Sequence, residues 1–335
     1  MRKPLYLHAG HPKCASTAIQ NALADNIDTL RAQGFLVADA NFEFAEEGPL
    51  NGCPVQYVAD MCGRKEAGLK AAVARFHDLG SRLGDRFDKV IVSSESLCIP
   101  EAEYLARALQ HEFEIHVVYY IRRQDDWVVS SWSQWGCREG EALAENCDRL
   151  LGISYPQFGK VVKRWQAVAD TMHVKPLHAT AFGAGGVLAD FFAAIGAKVE
   201  ISEDRMANPS LDLALLEVFA SSKFLFDSVH DQRIQHWLRQ ALPADYPIEK
   251  PVLGAELVAR IRAHFEDENR ALHREFFADL DYDELFGPRL DEQQRSERHA
   301  AQSTQQAEMD RMRRVIGLQF DLMQKMHERL RKLEG

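Results

Sequence analysis

The chain has 335 residues and a mass of 38.0 kDa, enough for one large domain or two ordinary ones with a buried core. Hydrophobic residues make up 46% of it and charged residues 27%, which is the usual globular mix and excludes a disordered or fibrous chain. The net charge of −10 argues against nucleic acid as the main partner, because duplex binding needs a basic surface or a basic stripe.

Targeting, disulfide and metal signals are weak. The first apolar stretch, residues 5–7, is shorter than a signal-peptide core, and no later run approaches the roughly 18 apolar residues of a membrane span. The cysteines show no C-x-x-C spacing, and the histidines are dispersed. We therefore expect a cytoplasmic protein with no membrane span and no metal site.

The first 200 residues alternate apolar, β-branched runs with helix-period segments, a pattern typical of a parallel sheet covered by helices on both faces. The predicted strands are 5–8, 89–93, 115–121 and 174–179. The last is expected at a sheet edge because Pro176 cannot donate a backbone hydrogen bond. The predicted helices are 16–32, 65–83, 102–111, 125–137, 157–170 and 186–196. The fold class is therefore α/β with a three-layer parallel sheet.

From about residue 205 the strand signals stop and helical patterns continue, at 211–226 and 256–277. We predict one domain over residues 1–290, whose part from 205 to 290 is mainly helical. Residues 291–335 form a separate segment, in which we expect a long C-terminal helix.

The C-terminal segment carries a repeat whose members are alternately three and four residues apart: Met309, Met312, Ile316, Gln319, Met323, Met326, Leu330 and Leu333. Only Gln319 is polar, and one polar residue in such a seam fixes the register of a coiled coil. Two interpretations stay open. The segment joins chains into a homo-oligomer, or it is a single amphipathic helix that docks on its own domain.

The loop after the first predicted strand has the composition of an anion site. Strand, short loop and helix in succession point backbone N–H groups and the helix dipole at a bound anion. Lys13 adds a positive charge, and Ser16 and Thr17 add hydroxyl donors at the start of the helix. The alternative is that Lys13 is solvated and that Ser16 or Thr17 only caps the helix.

This loop does not fit the ATP-binding pattern G-x-x-x-x-G-K-[ST]. The lysine follows Gly10 after only two residues, and Cys14 stands where a magnesium ligand is expected. A phosphate donor other than ATP is implied, or none. Positive charge at the start of a helix can lower the pKa of the Cys14 thiol. A catalytic thiol would also need a base, and His11 is the only candidate nearby. We therefore interpret Cys14 as a residue that only fills space in the loop.

The segment Pro12-Lys13-Cys14-Ala15-Ser16-Thr17 resembles the phosphosulfate-binding loop of sulfotransferases that use 3′-phosphoadenosine-5′-phosphosulfate (PAPS), with the pattern P-K-x-G-[ST]-T and Ala15 in place of the glycine. Arg122, Asp126 and Ser130 resemble the family's 3′-phosphate element, R-x-x-x-D-x-x-x-S. Ser93-Ser94-Glu95 resembles the S-S-E element of bacterial members. The resemblance spans most of residues 3–288, and parallel strands would bring these elements to one sheet edge.

The resemblance implies a P-loop-like fold and transfer of a sulfuryl group from PAPS, without a metal, to a hydroxyl or amine of a small metabolite or carbohydrate. The loop Lys13, Cys14, Ala15, Ser16 and Thr17 would hold the phosphosulfate, and Arg122 with Ser130 the 3′ phosphate. Besides Lys13, the candidate catalytic residues are Glu95, our first choice of general base, and His11, the second. The alternatives are an ATP-dependent small-molecule kinase and a non-catalytic nucleotide-binding scaffold on the same fold.

Overall fold

A computed structural model describes residues 2–63, 66–84, 86–183, 185–201, 211–243, 245–288 and 304–334. Within these residues the sheet has five strands, all paired in parallel, in the order β2-β3-β1-β4-β5. They are β1 (Lys3–Ala9), β2 (Phe35–Val37), β3 (Lys89–Ser94), β4 (Phe113–Ile121) and β5 (Thr171–Pro176). The predicted α/β class with a parallel sheet is confirmed.

The strands form where the sequence is apolar on both faces. Consecutive residues of β3 from Val90 to Ser94 are buried, as expected for a strand covered on both sides. β5 is an edge strand, as Pro176 predicted, and Pro176 pairs with Ile121 at its end. The sequence analysis missed β2, because three residues are too few to show a periodicity.

Helices connect and flank the strands. They are α1 (Ser16–Asp25), α2 (Ile27–Ala32), α3 (Val55–Gly63), α4 (Glu66–Arg82), α5 (Ala102–Leu109), α6 (Gln124–Ser131), α7 (Cys137–Glu139), α8 (Leu143–Gly152), α9 (Phe158–Gln166), α10 (Gly186–Ala194), α11 (Leu213–Ser221), α12 (Arg233–Ala241), α13 (Ala255–Phe276), α14 (Tyr282–Phe286) and α15 (Thr304–Glu334). None of these described helices is long and apolar enough to cross a membrane.

Two predicted helices are interrupted. The helix expected over 16–32 breaks at Asn26, whose side-chain amide donates to the Ala22 carbonyl at 2.8 Å. Asparagine competes with the helix in this way because its side chain bonds nearby backbone groups. The helix expected over 125–137 changes to a π-helical turn at Trp132–Gly136. The helices α3, α8, α12 and α14 were not predicted.

The chain forms two compact units, each made of separate stretches of sequence. The first consists of Met1–Arg123, Gln157–Ala207 and Asp267–Leu285, and it contains the whole described sheet. The second consists of Gln124–Pro156, Asn208–Glu266 and Phe286–Gly335. The predicted boundary at residue 290 lies outside the described residues and stays a prediction.

The second unit has its own apolar core, to which the C-terminal helix contributes. Leu318 of α15 is buried there beside Leu216 and Phe219 of α11, and Val315 and Leu322 pack against the same cluster half-buried. The helix therefore packs on the second unit through residues that do not belong to the repeat, and both interpretations of the repeat stay open.

Candidate functional site

The predicted site residues of the first unit follow strands that end at one edge of the sheet. Ala9 at the end of β1 pairs with Ser94 at the end of β3, and the Gly10 amide donates to the Ser94 carbonyl at 3.1 Å. β1 and β4 are neighbours, with His8 opposite Val118. Arg122 follows β4 and donates a hydrogen bond of 3.2 Å to the Lys13 carbonyl of the loop after β1. The order of connections reverses between these two strands, the position where parallel sheets bind ligands.

The loop after β1 contains two residues in the left-handed region, Lys13 and Ala15, each with φ of 66°. That conformation costs a residue with a β-carbon about 1–2 kcal/mol. A left-handed residue followed by a helical one turns successive backbone N–H groups to the same side and forms a concavity that suits an anion. Ala15 and Ser16 are such a pair. The glycine that the sulfotransferase pattern has at this position adopts the same conformation without that cost.

The helix that follows begins without a side-chain cap. Its N-cap is Ala15, whose methyl group has no acceptor. Ser16 and Thr17 occupy the first turn, so the interpretation in which one of them only caps the helix is wrong. The N–H groups of a first turn have no partner within the helix. Thr17 is exposed, and its hydroxyl adds a donor at the same end.

Glu95, the residue after β3, lies beside this loop. Its half-buried position raises its pKa, while the Lys13 charge and a hydrogen bond with Ser16 act in the opposite direction. The Ser16 hydroxyl is also 3.2 Å from the His11 carbonyl oxygen, and its single proton can be donated to only one of these acceptors at a time. The structure thus brings Lys13, Ser16 and Glu95 together.

Gly10 makes room for this arrangement. A β-carbon at Gly10 would lie 2.7 Å from the Ser16 hydroxyl oxygen, so any larger residue would displace that hydroxyl. The close approach of the Gly10 backbone to Ser16 therefore requires glycine.

Two arginines add to the positive charge. Arg122 Nη1 donates to the Lys13 carbonyl oxygen at 3.2 Å, and Arg164 Nη2, from α9, donates to the Cys98 carbonyl oxygen at 2.6 Å. The Arg164 charge also acts on the pKa values of His11 and Cys98. Sequence reasoning missed Arg164, because nothing in the spacing of its helix distinguishes it from a solvent-exposed residue.

His11 lies inside the first unit, only 2% exposed. Its Nδ1 is 3.0 Å from the Tyr119 hydroxyl oxygen, and its ring meets Phe158 edge-on, with 4.8 Å between ring centres. Burial, aided by the Arg164 charge, lowers the pKa of His11 to about 3. The imidazole is therefore neutral at physiological pH.

The environment of Cys14 differs from what the sequence suggested. The residue is fully buried, and burial raises the pKa of its thiol far above the ordinary value, although Arg122 and Lys13 both act to lower it. The suggestion that the electropositive loop lowers this pKa is wrong, and the interpretation of Cys14 as a loop filler fits its position.

Ser130 is half-buried on α6, which belongs to the second unit, whereas Arg122 belongs to the first. Their convergence on one phosphate group stays a prediction. Among the described residues, no group of three or more histidines, cysteines or carboxylates is arranged to hold a metal ion.

No family model matches the chain, and no curated protein sequence matches it. One solved structure to which it is similar is the sulfotransferase domain from the curacin biosynthetic pathway, at 11% sequence identity. That similarity covers 79% of this chain and 98% of the other, with a TM-score of 0.33. At such a TM-score the similarity says nothing about activity, so the function has to be inferred from the site itself.

Proposed function

We propose that this chain is a PAPS-dependent sulfotransferase, which moves a sulfuryl group onto a hydroxyl or amine of a metabolite or carbohydrate. The observation that carries the proposal is the loop of Lys13 and Ala15. It has two left-handed residues before an uncapped helix start, with Arg122 bonded to its backbone. Such a loop suits a doubly charged phosphosulfate group. The lack of the ATP-binding spacing favours PAPS over ATP.

In the proposed reaction the acceptor oxygen or nitrogen attacks sulfur, and the bond from sulfur to the bridging oxygen of the 5′ phosphate breaks. The electron pair of that bond leaves with 3′-phosphoadenosine-5′-phosphate. Lys13 would stabilise the negative charge that grows on the leaving oxygen, and the first-turn N–H groups at Ser16 and Thr17 would hold the phosphate. Fixed charges and donors of this kind are worth most where charge develops in the transition state.

Glu95 is the better candidate for the base that takes the acceptor proton. A carboxylate whose pKa is raised by burial is a stronger base than an ordinary glutamate, and Glu95 lies beside Lys13. His11 is a weaker candidate, because its pKa of about 3 makes it a poor proton acceptor and its ring is buried against Phe158.

Arg122 and Ser130 would bind the 3′ phosphate in this proposal. A guanidinium group has five donors, so the bond from Arg122 to the Lys13 carbonyl leaves it capable of binding a phosphate as well. Arg164 is a further cation whose charge reaches the same part of the first unit.

The test is release of 3′-phosphoadenosine-5′-phosphate from PAPS in the presence of pooled alcohols, amines and sugars. We expect release by the wild-type chain and its loss in Lys13→Ala. The matched control is Lys3→Ala, at the opposite end of the same strand, which should keep the wild-type rate. Equal rates in the two variants would contradict the proposed site.

A further inference from the structure

The C-terminal helix α15 has two apolar faces, and among the residues that the structure describes only one of them is packed against the rest of the chain. Val315, Leu318 and Leu322 pack on the core of the second unit, and Arg311 on the same side bonds Glu217 at 2.7 Å. The repeat predicted from the sequence lies elsewhere on the helix. Its described apolar members are 41–59% exposed: Met309, Met312, Ile316, Met323, Met326 and Leu330.

Helix geometry separates the two faces. If the repeat occupies positions a and d of a heptad, the docked residues occupy positions c and g. At about 100° per residue, the centres of the two faces lie roughly 110° apart around the helix. Docking therefore leaves the repeat at positions a and d, the seam of a coiled coil, exposed. The helix can pack on its own chain and still form a coiled coil with a second helix. Contiguous exposed apolar stripes are typical of interaction surfaces.

We infer that the seam of α15 pairs with α15 of a second copy of this chain, as a parallel, in-register coiled coil. The spacing is self-complementary, since alternation of three and four residues over more than three heptads is what two identical helices need for knobs-into-holes packing. The exposed Gln319 occupies a d position, where one polar residue per helix fixes the register.

The charges beside the seam are complementary in a parallel pair. Glu308 takes position g and Arg313 position e, and both are exposed. In a parallel pair, position g of one helix faces position e of the other five residues further on, so Glu308 meets the second copy's Arg313. The sequence repeats the combination with the signs reversed, Arg at 329 and Glu at 334. A fully overlapping antiparallel pair would bring g to g and e to e, so that Glu308 meets Arg329 and Arg313 meets Glu334, which are opposite charges as well. The parallel orientation follows instead from Gln319, which meets the second copy's Gln319 only in a parallel, in-register pair and would face Met323 in the antiparallel one.

Truncation of the helix would not test this inference cleanly, because it also removes Leu318 from the core of the second unit. Surface substitutions avoid the problem. We expect the full-length protein to be a dimer by light scattering at micromolar concentration. The double variant Met312→Glu, Met326→Glu should be a monomer, and its second unit should unfold at the wild-type temperature. The control Phe224→Glu, at an 86% exposed residue of the same unit that does not belong to α15, should stay dimeric.

The orientation has its own test. Glu308→Arg should raise the dimer dissociation constant several-fold, and adding Arg313→Glu should restore it, because the swapped pair is again complementary only in a parallel coil. Gln319→Leu should tighten the association or change its stoichiometry. A monomeric wild-type protein, a dimer that survives the paired methionine substitutions, or an equal loss of dimer in Phe224→Glu would overturn the inference. A double charge swap without rescue would overturn the parallel orientation.

Discussion

The guanidinium of Arg122 donates a hydrogen bond of 3.2 Å to the backbone carbonyl of Lys13. This bond joins the residue after β4 to the loop after β1, across the point where the sheet reverses its order of connections. It also stabilises a carbonyl that belongs to a residue in the left-handed region. Arg122 therefore contributes to the shape of the loop as well as to the positive charge near it.

This double role sets the expected effect of Arg122→Ala. Loss of the bond to Lys13 should weaken the binding of every ligand of the loop, whereas loss of the proposed contact with the 3′ phosphate should affect only ligands that have that group. We expect the affinity for 3′-phosphoadenosine-5′-phosphate to fall about 10- to 150-fold further than that for adenosine-5′-phosphosulfate, as for one charge-assisted hydrogen bond of about 1.5–3 kcal/mol. Calorimetric titration of both ligands measures the ratio. Equal losses would make Arg122 a positioning residue only.

Ala15→Gly should stabilise the protein by about 1 kcal/mol, because glycine adopts the φ of 66° without the cost of a β-carbon. The matched control is Ala18→Gly, three residues later inside α1, where the same change should destabilise by about 0.5–1 kcal/mol. Urea denaturation gives both values. If Ala15→Gly destabilised the protein as much as Ala18→Gly, the left-handed conformation of the loop would be in doubt.

If Glu95 is the base, its pKa determines the pH at which activity is lost on the acid side, or acid limb, of the pH profile. The base must be ionised to act, and burial raises the pKa of Glu95, so activity should be lost as the pH falls through a value above the ordinary 4.5 of a glutamate. Glu95→Gln should abolish most of the activity and remove this limb, and His11→Gln should leave its midpoint in place. A limb whose midpoint moves in His11→Gln and persists in Glu95→Gln would assign the base to His11 instead.

The sequence predicted those parts of the fold that depend on local pattern. Strands β1, β3 and β4 were predicted correctly because burial on both faces requires continuous apolar runs. The carboxyl ends of parallel strands lie at one edge of the sheet, and this rule predicted that Lys13, Glu95 and Arg122 are close to each other. Non-local features were missed. The pKa of Cys14 depends on burial by distant segments, and the position of Arg164 depends on the packing of α9.

The C-terminal repeat shows the same division. Its spacing predicted a helix, and α15 is one. The residues of the repeat could not show that the helix packs on its own chain. The residues that do so, Val315, Leu318 and Leu322, form a second apolar stripe, which only the packing of the second unit identifies.

The central claim, that the Lys13 loop binds the phosphosulfate end of PAPS, is tested most directly by calorimetry with 3′-phosphoadenosine-5′-phosphate and, separately, with ATP and magnesium. We expect the first ligand to bind the wild-type chain and Lys3→Ala alike, and its affinity to fall about 10- to 150-fold in Lys13→Ala, as for loss of one charge-assisted hydrogen bond of about 1.5–3 kcal/mol. ATP with magnesium should bind weakly. Tight binding of ATP with magnesium, or binding of 3′-phosphoadenosine-5′-phosphate that is unchanged in Lys13→Ala, would contradict the account.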